Sequence, residues 1–239
     1  MRLQREYHKW YSTSLGRDME QLVFGHAGSP VLVFPTSMGR FYENEDMGMI
    51  NALADKIEAG LIQLYCVDSV DAESWYNWHA SLEWRMGRAL AYDSYLYNEV
   101  IPFIANRNSN GYLILTGCSF GAYHAVNFGL RHPERVHKIV AMSGRYDLKH
   151  YFGGYYNTDL YYNSPLDYIG GAQEGDFLYR VRQQQIDLLT GTWDLGVCQN
   201  ETRQLHDVLA SKGINHTYEA WQDSGHDWPY WFKQIRHFI

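Results

Sequence analysis

Cysteine is scarce in this 239-residue chain, and the three present, Cys66, Cys118 and Cys198, are scattered and show no C-x-x-C spacing. That excludes a disulfide framework and leaves no zinc-ligand pattern, so the thiols read as reduced and mostly buried. Runs of Lys or Arg are also missing, and 20 basic residues stand against 27 acidic ones for a formal charge of -7. Such a balance offers no electrostatic footprint to a nucleic-acid backbone or an anionic membrane. Long apolar runs are absent too, and the opening MRLQREYHKWYSTSLGRD mixes charge with aromatics and has no hydrophobic signal core. The expectation is a soluble, cytoplasmic protein that uses neither metal nor organic cofactor. Its oligomeric state leaves no mark on the sequence.

What the chain does have is 46% hydrophobic residues at a length that commonly makes one α/β domain, here 1–239. Short apolar runs bounded by turn residues predict strands over His8–Ser14, Met19–Phe24, Val31–Phe34, Leu61–Val67, Tyr112–Thr116, Val136–Met142, Ile186–Thr190 and His216–Trp221. The first two flank Leu15-Gly16-Arg17-Asp18, a hairpin signal. Helical spacing alternates with these runs at Asn44–Ala59, at Leu82–Arg107 with a bend or break near Pro102, at Ala122–Arg131, at Thr202–Ser211 and at Trp228–Phe238. Strands alternating with helices predict an α/β architecture, a mostly parallel eight-stranded sheet with helices on both faces.

One short stretch carries chemistry. Gly117-Cys118-Ser119-Phe120-Gly121 fits G-x-S-x-G, a tight strand-to-helix turn that presents a serine hydroxyl above a sheet. The bare motif is only moderately informative, but here a predicted strand precedes it and a predicted helix follows it, as the motif requires. A serine hydroxyl is a weak nucleophile until a base takes its proton, so a histidine and a carboxylate are needed as well. His226 lies between the last strand and the last helix, where the order Ser, acid, His puts the base. His124 and His216 read as structural. Asp194, after strand seven, is the first candidate for the acid; Asp147, after strand six, is the alternative, and Asp223 and Asp227 stay open behind them.

Gly117-Cys118-Ser119-Phe120-Gly121, Gly191-Thr192-Trp193-Asp194 and Gly225-His226-Asp227-Trp228 together resemble the "Putative esterase" family of α/β-hydrolases. That group includes esterase D-type S-formylglutathione hydrolases, feruloyl esterases, ferric-siderophore esterases and the antigen 85 mycolyltransferases. The resemblance covers nearly the whole chain and implies the α/β-hydrolase fold, with Ser119 as nucleophile, Asp194 as acid and His226 as base. It does not choose a substrate.

Acyl transfer also needs N–H donors for the oxyanion. The N–H of Phe120 supplies one. The second is expected from the loop after strand three, with Ser37 ahead of Met38, although the His-Gly-Gly type of loop is absent there. A tyrosine-rich insertion from about Tyr146 to Gly171, containing Tyr155 and Tyr156, is expected to form part of the pocket wall or else only to pack. Trp75, Tyr76 and Trp78 are the other candidates for that wall. The reading is a serine hydrolase that cleaves a small carboxylic ester or thioester through an acyl-serine. An acyltransferase with the same triad, or less readily a noncatalytic binding protein of the same fold, is the alternative.

Overall fold

In the computed structural model, which describes residues 3–239, the chain opens with a hairpin. Strand β1 (Arg5–Ser12) pairs antiparallel with β2 (Arg17–Phe24). Arg5, Tyr7, Lys9 and Tyr11 point alternately to solvent from β1, as one face of an edge strand should. Strand β2 pairs antiparallel with β4 (Ile62–Val67), and β4 pairs parallel with β3 (Ser29–Phe34), giving the order β1-β2-β4-β3. Every residue of β4 is buried. These strands belong to the first of two compact units, which ends at Leu113; the second runs from Ile114 to Ile239.

One helical expectation in the first unit needs correction. The segment read as one helix, Asn44–Ala59, is three short ones, α1 (Glu43–Asp46), α2 (Met49–Ala52) and α3 (Ala54–Glu58). Gly48 takes φ 94° and Leu53 φ -110°, and both values interrupt the i to i-4 ladder. The long helix after β4 starts as α4 (Leu82–Tyr95), capped by the Ser81 hydroxyl that accepts from the Trp84 N–H. It continues through a π turn, Leu96–Val100, into α5 (Ile101–Arg107). Pro102 has no N–H and its ring crowds the carbonyl one turn back, so the wider turn absorbs what would otherwise be a break.

The second unit contains four parallel strands in the order β5-β6-β7-β8: β5 (Ile114–Cys118), β6 (Lys138–Met142), β7 (Gln185–Trp193) and β8 (Thr217–Gly225). Between them lie α6 (Phe120–Arg131), a 3-10 turn at Lys149–Phe152, α7 (Thr158–Tyr161), α8 (Pro165–Gly171), α9 (Asp176–Val181) and α10 (Gly196–Ser211); α11 (Trp228–Phe238) closes the chain. Strands β7 and β8 run on past their expected ends at Thr190 and Trp221, with an irregular register between Gly191 and Trp193. Gly191 permits this extension, since a Cβ there would lie 1.9 Å from the Ser224 carbonyl oxygen. Helix α10 begins at Gly196 rather than Thr202, because the polar Glu201 and Thr202 share its buried face with Cys198, Leu205 and Leu209. The eight strands and the helices between them give the α/β architecture expected from the pattern.

Candidate active site

Four residues of the second unit stand immediately beyond the carboxyl ends of its four strands: Ser119 after β5, Ser143 after β6, Asp194 after β7 and His226 after β8. Open α/β sheets gather their ligands at that edge. Ser119 is held at φ 55°, ψ -121°, a conformation that costs a non-glycine residue on the order of 1–3 kcal/mol. Its N–H donates to the Met142 carbonyl at 2.9 Å, tying the turn to the neighbouring strand. Helix α6 begins one residue later. A Cβ at Gly117 would lie 2.3 Å from the carbonyl carbon of Gly121, so strand and helix can fold back this closely only around glycine.

His226 Nε2 lies 3.0 Å from Ser119 Oγ, and its Nδ1 lies 2.7 Å from Asp194 Oδ1. The ionised carboxylate can only accept, so Nδ1 carries a proton. In the neutral ring Nε2 is then the acceptor, and the Ser119 hydroxyl donates to it. The imidazole is partly buried, with 19% of its side chain exposed, while the Asp194 carboxylate is fully covered. Trp231, from α11, sets its ring edge-on to His226 at 5.0 Å between centroids.

Asp194 is satisfied all round. Besides His226, its oxygens accept from Ser143 Oγ at 2.5 Å, Thr190 Oγ1 at 3.0 Å and the Leu195 N–H at 2.7 Å. Burial pushes its pKa up, but the hydrogen bonds from His226 and Ser143, the charge of His226 and the bond from Thr190 outweigh this and hold it below its ordinary value. Cys198 shares this neighbourhood, and Asp194, Cys198 and His226 are the one group among the described residues that could hold a metal ion. The donor set suits such an ion poorly. The carboxylate's lone pairs are already taken, and burial, with the Asp194 charge, pushes the thiol up to about 12.

The remaining candidates sit elsewhere. Asp147 Oδ1 accepts from the Lys149 N–H at 3.1 Å, a turn contact, and its own N–H donates to Glu201. Glu201 is buried and also accepts from the Tyr146 N–H and from Arg145, so α10 shapes the loop that follows β6. His124 is buried in α6, and His216 donates from Nδ1 to the Ile214 carbonyl; neither is hydrogen-bonded to Ser119. Phe120 is the first residue of α6, and Tyr151 of the insertion packs on its ring at 5.6 Å. Tyr155 is half-buried, while Tyr156 is 49% exposed and donates to Asp167 at 2.9 Å.

In the first unit, Thr36 to Gly39 forms a turn closed by the Gly39 N–H on the Thr36 carbonyl, with Met38 at φ 57°. The Met38 N–H donates to Asp71 at 3.3 Å, and Ser37 Oγ accepts from the Tyr76 hydroxyl at 2.8 Å. Trp75 needs correction as a wall residue. It is 2% exposed and packs in the core beside the buried Ser74, and the carbonyls of both accept from the Arg85 guanidinium. Trp78, more than half exposed beneath the Arg85 guanidinium, is the open ring of that segment.

Ser143, Thr190 and Trp231 were not singled out in the sequence. The usable signal for Ser143 is its place directly after a strand in Ser143-Gly144, and for Trp231 its place on the buried stripe of the terminal helix.

Eight strands alternating with helices, and a serine on a left-handed turn joined through histidine to a buried aspartate, define an α/β-hydrolase fold. Solved structures bear this out. A ferulic acid esterase superposes with a TM-score of 0.79 at 15% identity, covering 99% of this chain and 96% of that one. An S-formylglutathione hydrolase from Agrobacterium tumefaciens gives 0.73 at 14% identity, over 99% and 93%. A ferulic acid esterase from Anaeromyces mucronatus gives 0.71 at 14%, over 99% and 89%. The model of the family described as "Putative esterase" matches residues 12–237, and the chain belongs to that family; it is a carboxylic ester hydrolase. No curated protein sequence matches it. Among the described residues, no helix is long and apolar enough to cross a membrane.

Proposed function

We propose that the protein cleaves a small carboxylic ester or thioester through an acyl-serine formed on Ser119, with His226 as general base and then acid, and Asp194 as its orienting carboxylate. The observation that carries this reading is the unbroken hydrogen-bonded line from Asp194 through His226 to Ser119. As Ser119 Oγ attacks the acyl carbon, its proton passes to Nε2, and the imidazolium that forms is stabilised by Asp194. The proton then goes to the departing alcohol or thiol. Water attacks the acyl-serine by the same relay, releasing the acid and restoring the hydroxyl. The developing oxyanion is assigned to the Phe120 N–H, at the positive end of α6. We take residues 1–239 as one catalytic domain and place it in the cytoplasm, a reducing compartment that suits its three free thiols.

For the pocket wall we assign Tyr155 and Tyr156 of the insertion at 146–171. The contact between Tyr151 and Phe120 supports the assignment for the insertion, because it ties that segment to the residue after Ser119. Trp193 and Leu195, which flank Asp194, are 62% and 54% exposed and add apolar surface. Such a lining suits aryl-acyl or sugar-linked esters. Replacing Tyr155 and Tyr156 together by Ala should raise KM or change substrate preference with kcat little altered, because wall contacts bind ground and transition states alike. Unchanged kinetics on all substrates would return the pair to a packing role.

A panel of aryl esters, acyl sugars and thioesters, assayed with and without added alcohol acceptors, tests the proposed reaction. Free acid as the product supports hydrolysis. Transfer of the acyl group to the acceptor in preference to water would make the enzyme an acyltransferase.

A further inference from the structure

Three of the four residues that follow the parallel strands of the second unit have roles in the proposed reaction. The fourth, Ser143, has none, yet it is 1% exposed and held at φ 56°, a left-handed conformation that serine adopts only under constraint. Its N–H donates to the Leu189 carbonyl at 2.7 Å, which fixes the turn against β7. Its hydroxyl accepts from the indole Nε1–H of Trp231 at 2.9 Å and lies 2.5 Å from Asp194 Oδ2. The indole can only donate, so the hydroxyl oxygen spends a lone pair on Trp231 and turns its own proton to the carboxylate. The same indole ring packs edge-on against His226.

We propose that Ser143, oriented by the Trp231 indole N–H, is a positioning residue that fixes the plane of the Asp194 carboxylate so that Oδ1 faces His226. The inference rests on the reading of Asp194 as the acid of the proposed reaction. Ser143 and Thr190 together hold Oδ2, while the Leu195 N–H and His226 hold Oδ1, so the carboxylate has a donor on each side and one settled orientation. Without Ser143, Oδ2 keeps a single side-chain donor and the carboxylate gains freedom to turn. Its negative charge is then shared among fewer donors and attracts the imidazolium more strongly. The other titratable groups facing this pair are Cys198 and Tyr146, and burial pushes both well up, so neither changes charge between about pH 5 and 9. Asp227, next to His226, is occupied as the cap of α11.

Kinetics of Ser143→Ala, Trp231→Phe and the double variant across pH test the assignment. Ser143→Ala should lower kcat roughly 10- to 100-fold with KM nearly unchanged. It should also move the acid limb of kcat/KM to higher pH by about 0.5 unit. Trp231→Phe should move both quantities the same way by less. The double variant should be no worse than Ser143→Ala, because the two groups act in series. It should also regain melting temperature, since it removes the indole N–H that the single variant leaves unpaired. If Ser143→Ala folds poorly at its left-handed backbone, Ser143→Gly removes the same hydroxyl with less strain. A kcat loss equal at every pH with the limb unmoved, or wild-type kinetics, would overturn the proposal. Activity surviving in Ser119→Ala would instead overturn the reaction on which it rests.

Discussion

Ser119→Ala should abolish covalent labelling by a fluorophosphonate and lower kcat on an activated ester by about 10⁴- to 10⁶-fold. The expectation comes from the geometry of one oxygen. Ser119 Oγ has the His226 Nε2 lone pair 3.0 Å away, so its proton has somewhere to go as the oxygen attacks an electrophilic centre. Intact-mass measurement before and after labelling reads the result directly. The adjacent nucleophile, Cys118, is 3% exposed at the end of its strand and should not be labelled. A phosphonylated Ser119→Ala protein would move the nucleophile to another residue.

Asp194→Asn should also be severe, though less so than loss of Ser119, with kcat lowered by about 10² to 10⁴. The amide presents an N–H where the carboxylate accepted one, which drives the imidazole into the tautomer whose Nε2 carries a proton and cannot accept from Ser119. Asp147→Asn is the matched control. Its Oδ1 need only accept from the Lys149 N–H, which an amide oxygen does equally well, so its activity should stay close to wild type. If the two variants exchange outcomes, the acid follows β6 and not β7. Melting curves add a separate check. Because the pKa of Asp194 is lowered on folding, its charge contributes stability above the ordinary carboxylate range, and that contribution is lost as pH falls through the lowered value. Asp194→Asn should therefore melt below wild type at neutral pH, with the gap closing as the solution is acidified below about pH 4.

Much of this arrangement could be read from the sequence, and the parts that could not share a physical cause. Ser119, Asp194 and His226 were each proposed from their place within a few residues of a strand pattern's end, because periodicity locates where a strand stops to about that precision. The corrections fall where backbone conformation overrides side-chain pattern. Gly48 at φ 94° divides a helix whose apolar spacing is unbroken, and the irregularity expected near Pro102 takes the form of a π turn just before it. Strands β7 and β8 outrun their apolar residues because Gly191 lets the backbones approach, which the polar segment Gln222-Asp223-Ser224 conceals. Ser143 stayed unseen for another reason. Its partners Asp194 and Trp231 lie 51 and 88 residues away along the chain, and no local pattern encodes such contacts.

Two serines, Ser119 at φ 55° and Ser143 at φ 56°, hold left-handed backbone at the ends of adjacent strands. Glycine occupies that region without a steric penalty, so at both positions a more comfortable residue exists. Selection for heat resistance alone would drift toward it, and at Ser119 the sturdier protein would lack the proposed nucleophile. Any laboratory evolution of a hardier form of this enzyme therefore has to screen for turnover in the same round as for survival, since these two sites set the two demands against each other.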